Sequence, residues 1–280
     1  MKRRQDIDKK TKILFTDIDG TLLDDKQEIP ATNRNAIEQL IKEGHKIVLT
    51  TGRALSGTTG QAEKLGLTFD GCYIIAFNGG EIYDSYRKET LYKCRIPMDV
   101  AARIFAICEE QNVHVQTYDS KYVLAKKESA FMERYCREVA TESRVDPGLP
   151  YSLEEEPSKL LLLSYDDNEK LHEMKKLILE AEGDTVDAFF SSIGLLEVVL
   201  KGTNKGAGIK RLCDILNIPL ENSVGAGDGI NDIPLLETAY VGAAMKNAVD
   251  EVKEAGNYVT ERDNNEGGLA EVIEKFILAG

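Results

Sequence analysis

The sequence contains few of the residues on which several common hydrolase classes depend. Its three histidines (His45, His114 and His172) lie far apart and lack the spacing of metal ligands, so we do not expect a histidine-rich zinc site. The chain has no G-x-S-x-G segment, the turn that presents a nucleophilic serine in many α/β hydrolases. These absences argue against zinc hydrolases and against serine hydrolases of that type.

Clustered cysteines and long apolar runs are absent as well. The five cysteines are scattered and form no C-x-x-C pair, which is typical of reduced thiols in a cytosol. No apolar run approaches the length needed to cross a membrane, and the polar start lacks the pattern of a signal peptide. These features predict a cytoplasmic protein.

Positive charge is in deficit. The chain has 35 Lys and Arg against 48 Asp and Glu, a net charge of −13. Nucleic acid and anionic membranes would be repelled, so we expect neither as a partner. An anionic small substrate would need local positive groups. The basic residues of the start, "MKRRQDIDKKT", form a polar tail over residues 1–11 that we expect to be flexible.

Short apolar strands alternate with helical segments at both ends of the 280-residue chain. "KILFT", "HKIVLT" and "CYIIA" are strand-like, and the same alternation returns after Lys201. This order predicts an α/β fold with a doubly wound, Rossmann-like parallel sheet. Residues 84–201 instead give paired extended runs and long helical runs, which are typical of α+β domains. We therefore predict a core of residues 12–83 and 202–280, interrupted by an inserted domain at 84–201.

Polar side chains follow four of the predicted strands. Ligands bind beyond the carboxyl ends of strands in an open parallel sheet, so we expect these side chains to face one crevice. Lys205, at the start of a helix, could add a positive group. The residues at the strand ends are Asp17 and Asp19; Thr50, Thr51, Gly52 and Arg53; Asn78, Gly79 and Gly80; and Asp228, Asn231 and Asp232.

This set of residues favours phosphate chemistry. Carboxylates held close together repel unless a cation lies between them, and oxygen ligands without Cys or His suit Mg²⁺. Glycine turns and positive side chains suit a phosphate. A carboxylate beside that phosphate can attack it and form an acyl phosphate that water then splits. The pattern suggests phosphoryl transfer through an aspartyl-phosphate.

Each motif alone has other interpretations. "DIDGT" lacks the third acidic or amide ligand of a calcium loop, and "GAGDGIND" does not have the glycine spacing of a dinucleotide site. A phosphorylated signalling receiver also clusters Asp, Thr and Lys around Mg²⁺, but it would be a single sheet domain of about half this length. A protein that only binds phosphate would have no use for Asp19.

Together, "DIDGTLLD", "TTGR", "NKG" and "GDGINDIPLL" resemble the four motifs of haloacid dehalogenase-superfamily phosphatases of the Cof type, which carry a C2 cap. "FNGGEIYD", "GAAMKNAVDEVKEAGNYVT" and "NEGGLAEVIEKF" resemble secondary signatures of the same group. The resemblance covers essentially the whole chain after the tail and is greatest to sugar-phosphate phosphatases. It implies a Mg²⁺-dependent phosphatase of small phosphorylated metabolites, with residues 84–201 as the cap. A phosphosugar mutase or another phosphotransferase on the same fold is the alternative.

The resemblance also implies catalytic roles. Asp17 would be the nucleophile, with one oxygen on Mg²⁺. Asp19 would be the general acid and base, and its backbone carbonyl would also bind the metal. Thr51 and the Gly52 amide would hold the phosphoryl oxygens, and Lys205 would neutralise nucleophile and phosphate.

Further residues would complete the metal and substrate sites by the same resemblance. Asp228 and Asp232 belong to the expected metal site, in which Asn231 and Asp232 would position metal waters and Lys205. Asn231 would also face the phosphate, and Arg53 and Asn78 would reach the substrate. The physiological substrate is not indicated, and Lys159 and the "VQTYDSKY" turn are candidates for specificity. Monomer and homodimer both remain open.

Overall fold

The computed structural model describes residues 11–139 and 141–279. Residues 1–10 of the predicted basic tail lie outside the described residues. The chain divides into two compact units. The first contains the residues up to Gly52, Gln61–Leu91 and the residues from Asn204 onward, and the second contains Arg53–Gly60 and Tyr92–Thr203.

The strands and helices alternate at both ends of the chain, as the sequence predicts. The strands are β1 Ile13–Asp17, β2 Lys46–Thr50, β3 Cys72–Ala76, β4 Glu81–Asp84, β5 Glu89–Lys93, β6 His114–Tyr118, β7 Tyr122–Ala125, β8 Glu142–Val145, β9 Lys159–Leu163, β10 Val186–Ser192, β11 Leu195–Leu200, β12 Ser223–Gly227, β13 Val241–Ala244 and β14 Tyr258–Val259. The helices are α1 Ala31–Lys42, α2 Leu55–Leu65, α3 Met98–Glu110, α4 Ala130–Glu138, α5 Asn168–Glu182, α6 Lys205–Leu216, α7 Ile233–Thr238, α8 Asp250–Ala255 and α9 Gly268–Ile273.

The first sheet has the strand order β14-β13-β12-β1-β2-β3-β4-β5. The strands from β14 to β3 are parallel, so their carboxyl ends meet at one edge of the sheet. Strand β1 lies in the middle, and its residues Ile13, Leu14 and Phe15 are fully buried. Its last residue, Asp17, stands beside Thr50 of β2. The central position of β1 therefore brings Asp17 to the middle of the carboxyl edge.

Helix α6 packs closely against its neighbours because two of its first residues are glycines. A Cβ atom at Gly206 would lie 2.3 Å from the carbonyl oxygen of Pro234, and one at Gly208 would lie 2.9 Å from Cγ2 of Ile75. Any side chain at these positions would push the helix away from α7 and β3. The glycines thus fix the start of α6, where Lys205 stands.

The second unit is an α+β sandwich around a sheet of order β10-β11-β9-β6-β7-β8. Helices α3 and α5 contribute to the apolar cluster on one face, and α4 contributes to a smaller cluster with alternate residues of the same strands. Lys159 and Glu197, on neighbouring strands, form an ion pair of 3.2 Å with side chains 2% and 5% exposed. Lys159 is thus in a buried pair, and its role in specificity stays a prediction.

The sequence-based domain boundaries differ from the boundaries of the compact units. The second unit contains Arg53–Gly60 and the continuous stretch Tyr92–Thr203, whereas the sequence predicts a single insertion at residues 84–201. Strand β4 pairs antiparallel with β3, and β5 follows it in the same sheet, so this hairpin extends the first sheet. The alternating pattern of "EIYDSYRKETLYK" indicates strands but does not indicate which sheet they join. Within the described residues, none of the helices is both long and apolar enough to span a membrane.

Candidate active site

The segment after β1 is a tight turn, Ile18–Leu22, closed by a bond of 3.0 Å from the Leu23 amide to the Ile18 carbonyl. Asp19 is extended within it, and Gly20 has a φ of 75°. A Cβ atom at Gly20 would lie 2.5 Å from Oδ2 of Asp228, so the turn needs glycine on both counts. Thr21 donates a hydrogen bond of 2.7 Å to Oδ1 of Asp228. The turn that carries Asp19 is therefore packed directly against the Asp228 carboxylate.

Lys205 links two of the carboxylates. It is the first residue of α6, whose preceding residue, Asn204, accepts a hydrogen bond of 2.9 Å from the Ala207 amide and so caps the helix. The Lys205 side chain is fully buried, and its Nζ donates to Oδ1 of Asp17 and to Oδ1 of Asp232 at 2.5 Å each. Burial opposes the charged ammonium, but the two carboxylates outweigh it and raise the pKa of Lys205 above its ordinary value. Lys205 is therefore charged at neutral pH.

Asp232 holds the loop that follows β12. Its Oδ2 accepts hydrogen bonds from the amides of Asp228 at 3.0 Å and of Gly229 at 2.9 Å, while its Oδ1 accepts from Lys205. A Cβ atom at Gly227 would lie 2.5 Å from Cγ of Asp232, so this approach also depends on a glycine. Since both oxygens of Asp232 are engaged, its clearest function is to fix the Asp228 backbone and Lys205.

Three carboxylates meet at this edge of the sheet. One oxygen from each of Asp17, Asp228 and Asp232 lies within 4.8 Å of the others. Burial raises the pKa of Asp17 to about 8; Lys205 opposes the rise, and Asp232 and Asp228 add to it. Burial likewise raises the pKa of Asp228 to about 6. A single ammonium cannot balance three carboxylates, and the donor set consists of oxygen atoms, so the cluster fits a divalent cation such as Mg²⁺.

Backbone hydrogen bonds connect the segments that follow β2 and β3. The amide of Thr51 donates to the Ile75 carbonyl at 2.9 Å, and the amide of Asn78 donates to the Thr51 carbonyl at 2.9 Å. A Cβ atom at Gly52 would approach Nδ2 of Asn78 to 3.0 Å. Asn231 donates from its Nδ2 to Oδ1 of Asn78 at 3.2 Å, which connects this pair of strand ends to the loop after β12.

Most of the residues predicted for the site are thus brought together in the first unit. Asp17, Lys205, Asp232 and Asp228 form one group, and Asp19 is near enough to contribute to the raised pKa of Asp228. Thr51, Gly52, Asn78 and Asn231 form a second group. Arg53 belongs to the second unit, and its role stays a prediction.

Asn204 and Thr21 lie in the motifs "NKG" and "DIDGT", but their supporting roles were not predicted from the sequence. Asn204 could have been found, because an Asn directly before a helical stretch is a common N-cap. Thr21 has no comparable signal, because its hydrogen bond reaches a residue in a distant part of the sequence.

Comparison with known proteins identifies relatives along the whole chain. Residues 14–273 match the family of haloacid dehalogenase-like hydrolases. The chain is 28% identical to the putative phosphatase YxeH of Bacillus subtilis, over 96% of this chain and 99% of that protein. It is 29% identical to the 5-amino-6-(5-phospho-D-ribitylamino)uracil phosphatase YcsE of the same organism, over 99% of both.

Solved structures resemble both units. The haloacid dehalogenase subclass IIB sugar phosphatase BT4131 superposes with a TM-score of 0.80 at 26% identity, over 95% of this chain and 99% of that one. The predicted fold class, a parallel α/β core with an inserted α+β domain of the cap type, is thereby confirmed. The covering role of that domain stays a prediction.

Gly79 provides a test of how the end of β3 fixes the start of α6. It has a φ of 108°, and a Cβ atom there would lie 2.3 Å from the carbonyl oxygen of Asn204. Gly44 also has a positive φ, 82°, but has nothing within 4 Å of its Cβ position. We expect Gly44→Ala to cost about 1–2 kcal/mol through backbone strain. Gly79→Ala should cost at least about 2 kcal/mol more, since backbone atoms must move.

Urea unfolding of the two glycine variants measures this difference directly. Equal losses of unfolding free energy would show that the close approach of Gly79 to Asn204 does not constrain the site.

Proposed function

Because this chain belongs to the haloacid dehalogenase-like hydrolases, we propose that it hydrolyses small phosphate monoesters through a phosphoryl group carried on Asp17. The chain is a phosphatase; what we propose is which residues catalyse the reaction and which class of substrate it acts on. The observation that carries the proposal is the hydrogen bond from the buried Lys205 to Oδ1 of Asp17, at the end of the central strand. This bond orients the carboxylate, so that Oδ2 can serve as the attacking atom.

In the first step, Oδ2 of Asp17 attacks phosphorus while the bond between phosphorus and the ester oxygen breaks. The electron pair of that bond goes to the departing oxygen, which takes a proton from the Asp19 carboxyl group and leaves as an alcohol. Lys205 neutralises charge on the nucleophile. The Thr51 hydroxyl, the Gly52 amide and Asn231 hold phosphoryl oxygens, and Asn78 contacts the substrate.

In the second step, Asp19, now ionised, takes a proton from a water molecule as that water attacks the phosphorus of the acyl phosphate. The bond between phosphorus and Oδ2 of Asp17 breaks, which releases inorganic phosphate and returns the Asp17 carboxylate. Asp19 is again protonated, so the cycle is closed. The chemistry needs two carboxyl groups with separate roles, and we assign these roles to Asp17, the last residue of β1, and to Asp19, in the turn that follows.

We assign the metal site to the carboxylates of Asp17 and Asp228 and to the backbone carbonyl of Asp19. Mg²⁺ bound there would supply positive charge that the single Lys205 cannot provide. Asp232 completes this site by fixing Asp228 and Lys205 through its own hydrogen bonds. The raised pKa of Asp17 and of Asp228 supports the assignment, since it reflects buried carboxylates that lack sufficient countercharge.

For the substrate, we propose a phosphate ester at the end of a sugar or sugar-alcohol chain. Two similar proteins support this class: one is named as a sugar phosphatase and another as a phosphatase of a phosphoribityl compound. A screen that measures phosphate release from sugar phosphates, nucleotides, flavin mononucleotide and pyridoxal phosphate tests it. Greater kcat/KM for the nucleotides than for every sugar or sugar-alcohol phosphate would contradict it.

Replacement of the nucleophile gives the first test of the mechanism. Asp17→Asn keeps the shape of the side chain but removes the attacking oxygen, so phosphate release should fall below detection. Circular dichroism and urea unfolding would establish that the variant is folded. Near-normal turnover by a folded Asp17→Asn protein would rule out covalent catalysis by this residue.

Metal binding should be visible without any measurement of activity. Mg²⁺ relieves repulsion among the buried carboxylates, so it should raise the Tm of the metal-free protein by several degrees at about 100 times its Kd. Asp228→Asn should lose most of this shift. Asp214→Asn, which changes an exposed aspartate of α6, should keep it. A full Mg²⁺ shift in Asp228→Asn would contradict the assigned site.

The role of Asp19 is tested by a substrate whose leaving group needs no proton. Asp19→Ala should lose about 10²–10⁴-fold in turnover of a sugar phosphate, which is the usual contribution of general acid–base catalysis. With p-nitrophenyl phosphate, its first step should stay comparatively fast and its second should be slow. Rapid mixing should therefore show a burst of nitrophenolate of at most one per site and, by intact mass, a phosphorylated protein. If the variant binds substrate and Mg²⁺ but shows neither, Asp19 is not the acid–base residue.

A further inference from the structure

The turn that carries Asp19 is held from outside by three asparagine side chains. Nδ2 of Asn247 donates to the carbonyl of Gly20 at 2.8 Å. Nδ2 of Asn33 donates to the carbonyl of Leu22 at 3.2 Å, and Nδ2 of Asn264 donates to the carbonyl of Leu23 at 3.1 Å. Three carbonyls of four successive residues thus accept hydrogen bonds from side chains of three different segments of the chain.

The three asparagines are themselves held by the segment around α9. Oδ1 of Asn33 accepts from the amide of Ala270 at 2.9 Å, and Oδ1 of Asn247 accepts from the amide of Asn264 at 3.2 Å. Asn264 also donates to Oδ1 of Asp25 at 3.2 Å. Asn33 is fully buried and Asn264 is 4% exposed, so two of the three bonds to the turn are shielded from water.

The chemistry of these bonds requires asparagine. Each bond to the turn needs a donor, and the same side chains of Asn33 and Asn247 must also accept a hydrogen bond from an amide. A neutral carboxamide offers both, whereas an ionised aspartate only accepts. An aspartate would also add negative charge close to the carboxylates of the site. Asn33 and Asn247 therefore combine opposite hydrogen-bonding functions without charge, and Asn264 donates without adding charge.

A glycine lets the two helices come close enough for the Asn33 bonds. Gly267, just before α9, has a φ of 86°, and a Cβ atom there would lie 2.1 Å from Oγ1 of Thr32. The start of α9 can therefore approach the start of α1, where Asn33 stands. Asn247 lies in "GAAMKNAVDEVKEAGNYVT", and Asn264 directly precedes "NEGGLAEVIEKF"; the proposed mechanism does not otherwise use these two segments.

We propose that Asn33, Asn247 and Asn264 are positioning residues for the acid–base step, and that they act by fixing the turn that carries Asp19. The inference rests on the proposed role of Asp19. Asn247 is the most direct of the three, because it binds the carbonyl of the residue next to Asp19. Without that bond, the peptide unit between Gly20 and Thr21 is held less tightly, so the distance from Asp19 to the leaving group and to water varies more.

The best variant is Asn247→Ala, because Asn247 is exposed and its loss should leave the fold intact. Asn257 provides a matched control in the same unit. It donates to the carbonyl of Tyr240 at 3.0 Å and accepts from the amide of Gly242 at 3.0 Å, at the amino end of β13. Both variants lose one donated and one accepted bond to the backbone, so they should lower the urea midpoint by similar amounts.

Only Asn247→Ala should affect the chemistry. A small displacement of a catalytic group costs up to about a hundredfold, so we expect sugar-phosphate turnover to fall about ten- to hundredfold. With p-nitrophenyl phosphate the variant should show a burst of nitrophenolate, as expected for Asp19→Ala. Asn257→Ala should show wild-type turnover and the wild-type time course.

A double variant separates positioning from a general structural effect. If Asn247 acts through Asp19, then Asn247→Ala should change the turnover of Asp19→Ala by less than about twofold, because the two losses are coupled. The same fold loss in both backgrounds, or an Asn247→Ala protein that behaves like Asn257→Ala, would overturn the inference and leave the proposed function intact. Full turnover by Asp19→Ala itself would instead remove the assigned role of Asp19, and the inference with it.

Discussion

The site depends on the ion pairs that the buried ammonium of Lys205 forms with Asp17 and Asp232. A fully buried charge is costly to remove from water unless opposite charges and good hydrogen bonds surround it, and here Asp17 and Asp232 provide both. Asp17 ends the central strand, Asp232 stands in the loop after β12, and Lys205 begins α6. One amine therefore fixes three elements that are distant in sequence. Loss of either carboxylate would leave the ammonium poorly compensated.

The same pairing explains why the site suits phosphoryl transfer. Lys205 orients Asp17, and Asp232 uses its other oxygen to hold the backbone of Asp228. The negative charge of the three carboxylates exceeds the positive charge of the lysine, so the cluster favours a divalent cation. In the proposed mechanism that cation would offset the excess negative charge, which would otherwise repel a phosphate ester. The three asparagines fix the backbone of the turn that carries Asp19 through hydrogen bonds, which the charged groups do not do.

The sequence predicts the parallel core well because strand, turn and helix signals there are local. The apolar run before Asp17 and the glycine–polar loops at the strand ends are sufficient to predict which residues meet at the carboxyl edge. The boundaries of the inserted domain are less predictable, because the β4–β5 hairpin joins the first sheet through pairing that the alternating pattern does not specify. The bond from Thr21 to Asp228 and the bonds of Asn247 and Asn264 to the turn are equally hard to predict, since each joins residues far apart in sequence. The sequence likewise does not indicate that Lys159 forms a buried ion pair with Glu197, because the two residues lie on different strands.

The central claim, that the phosphoryl group passes through Asp17, is tested most directly by the stereochemical course at phosphorus. A phosphate monoester made chiral with oxygen isotopes, hydrolysed in isotopically labelled water, reports how many displacements occur. Attack by Asp17 followed by attack by water inverts the phosphorus twice, so the account predicts net retention of configuration. Net inversion would mean that water attacks the substrate directly, and it would contradict the covalent mechanism.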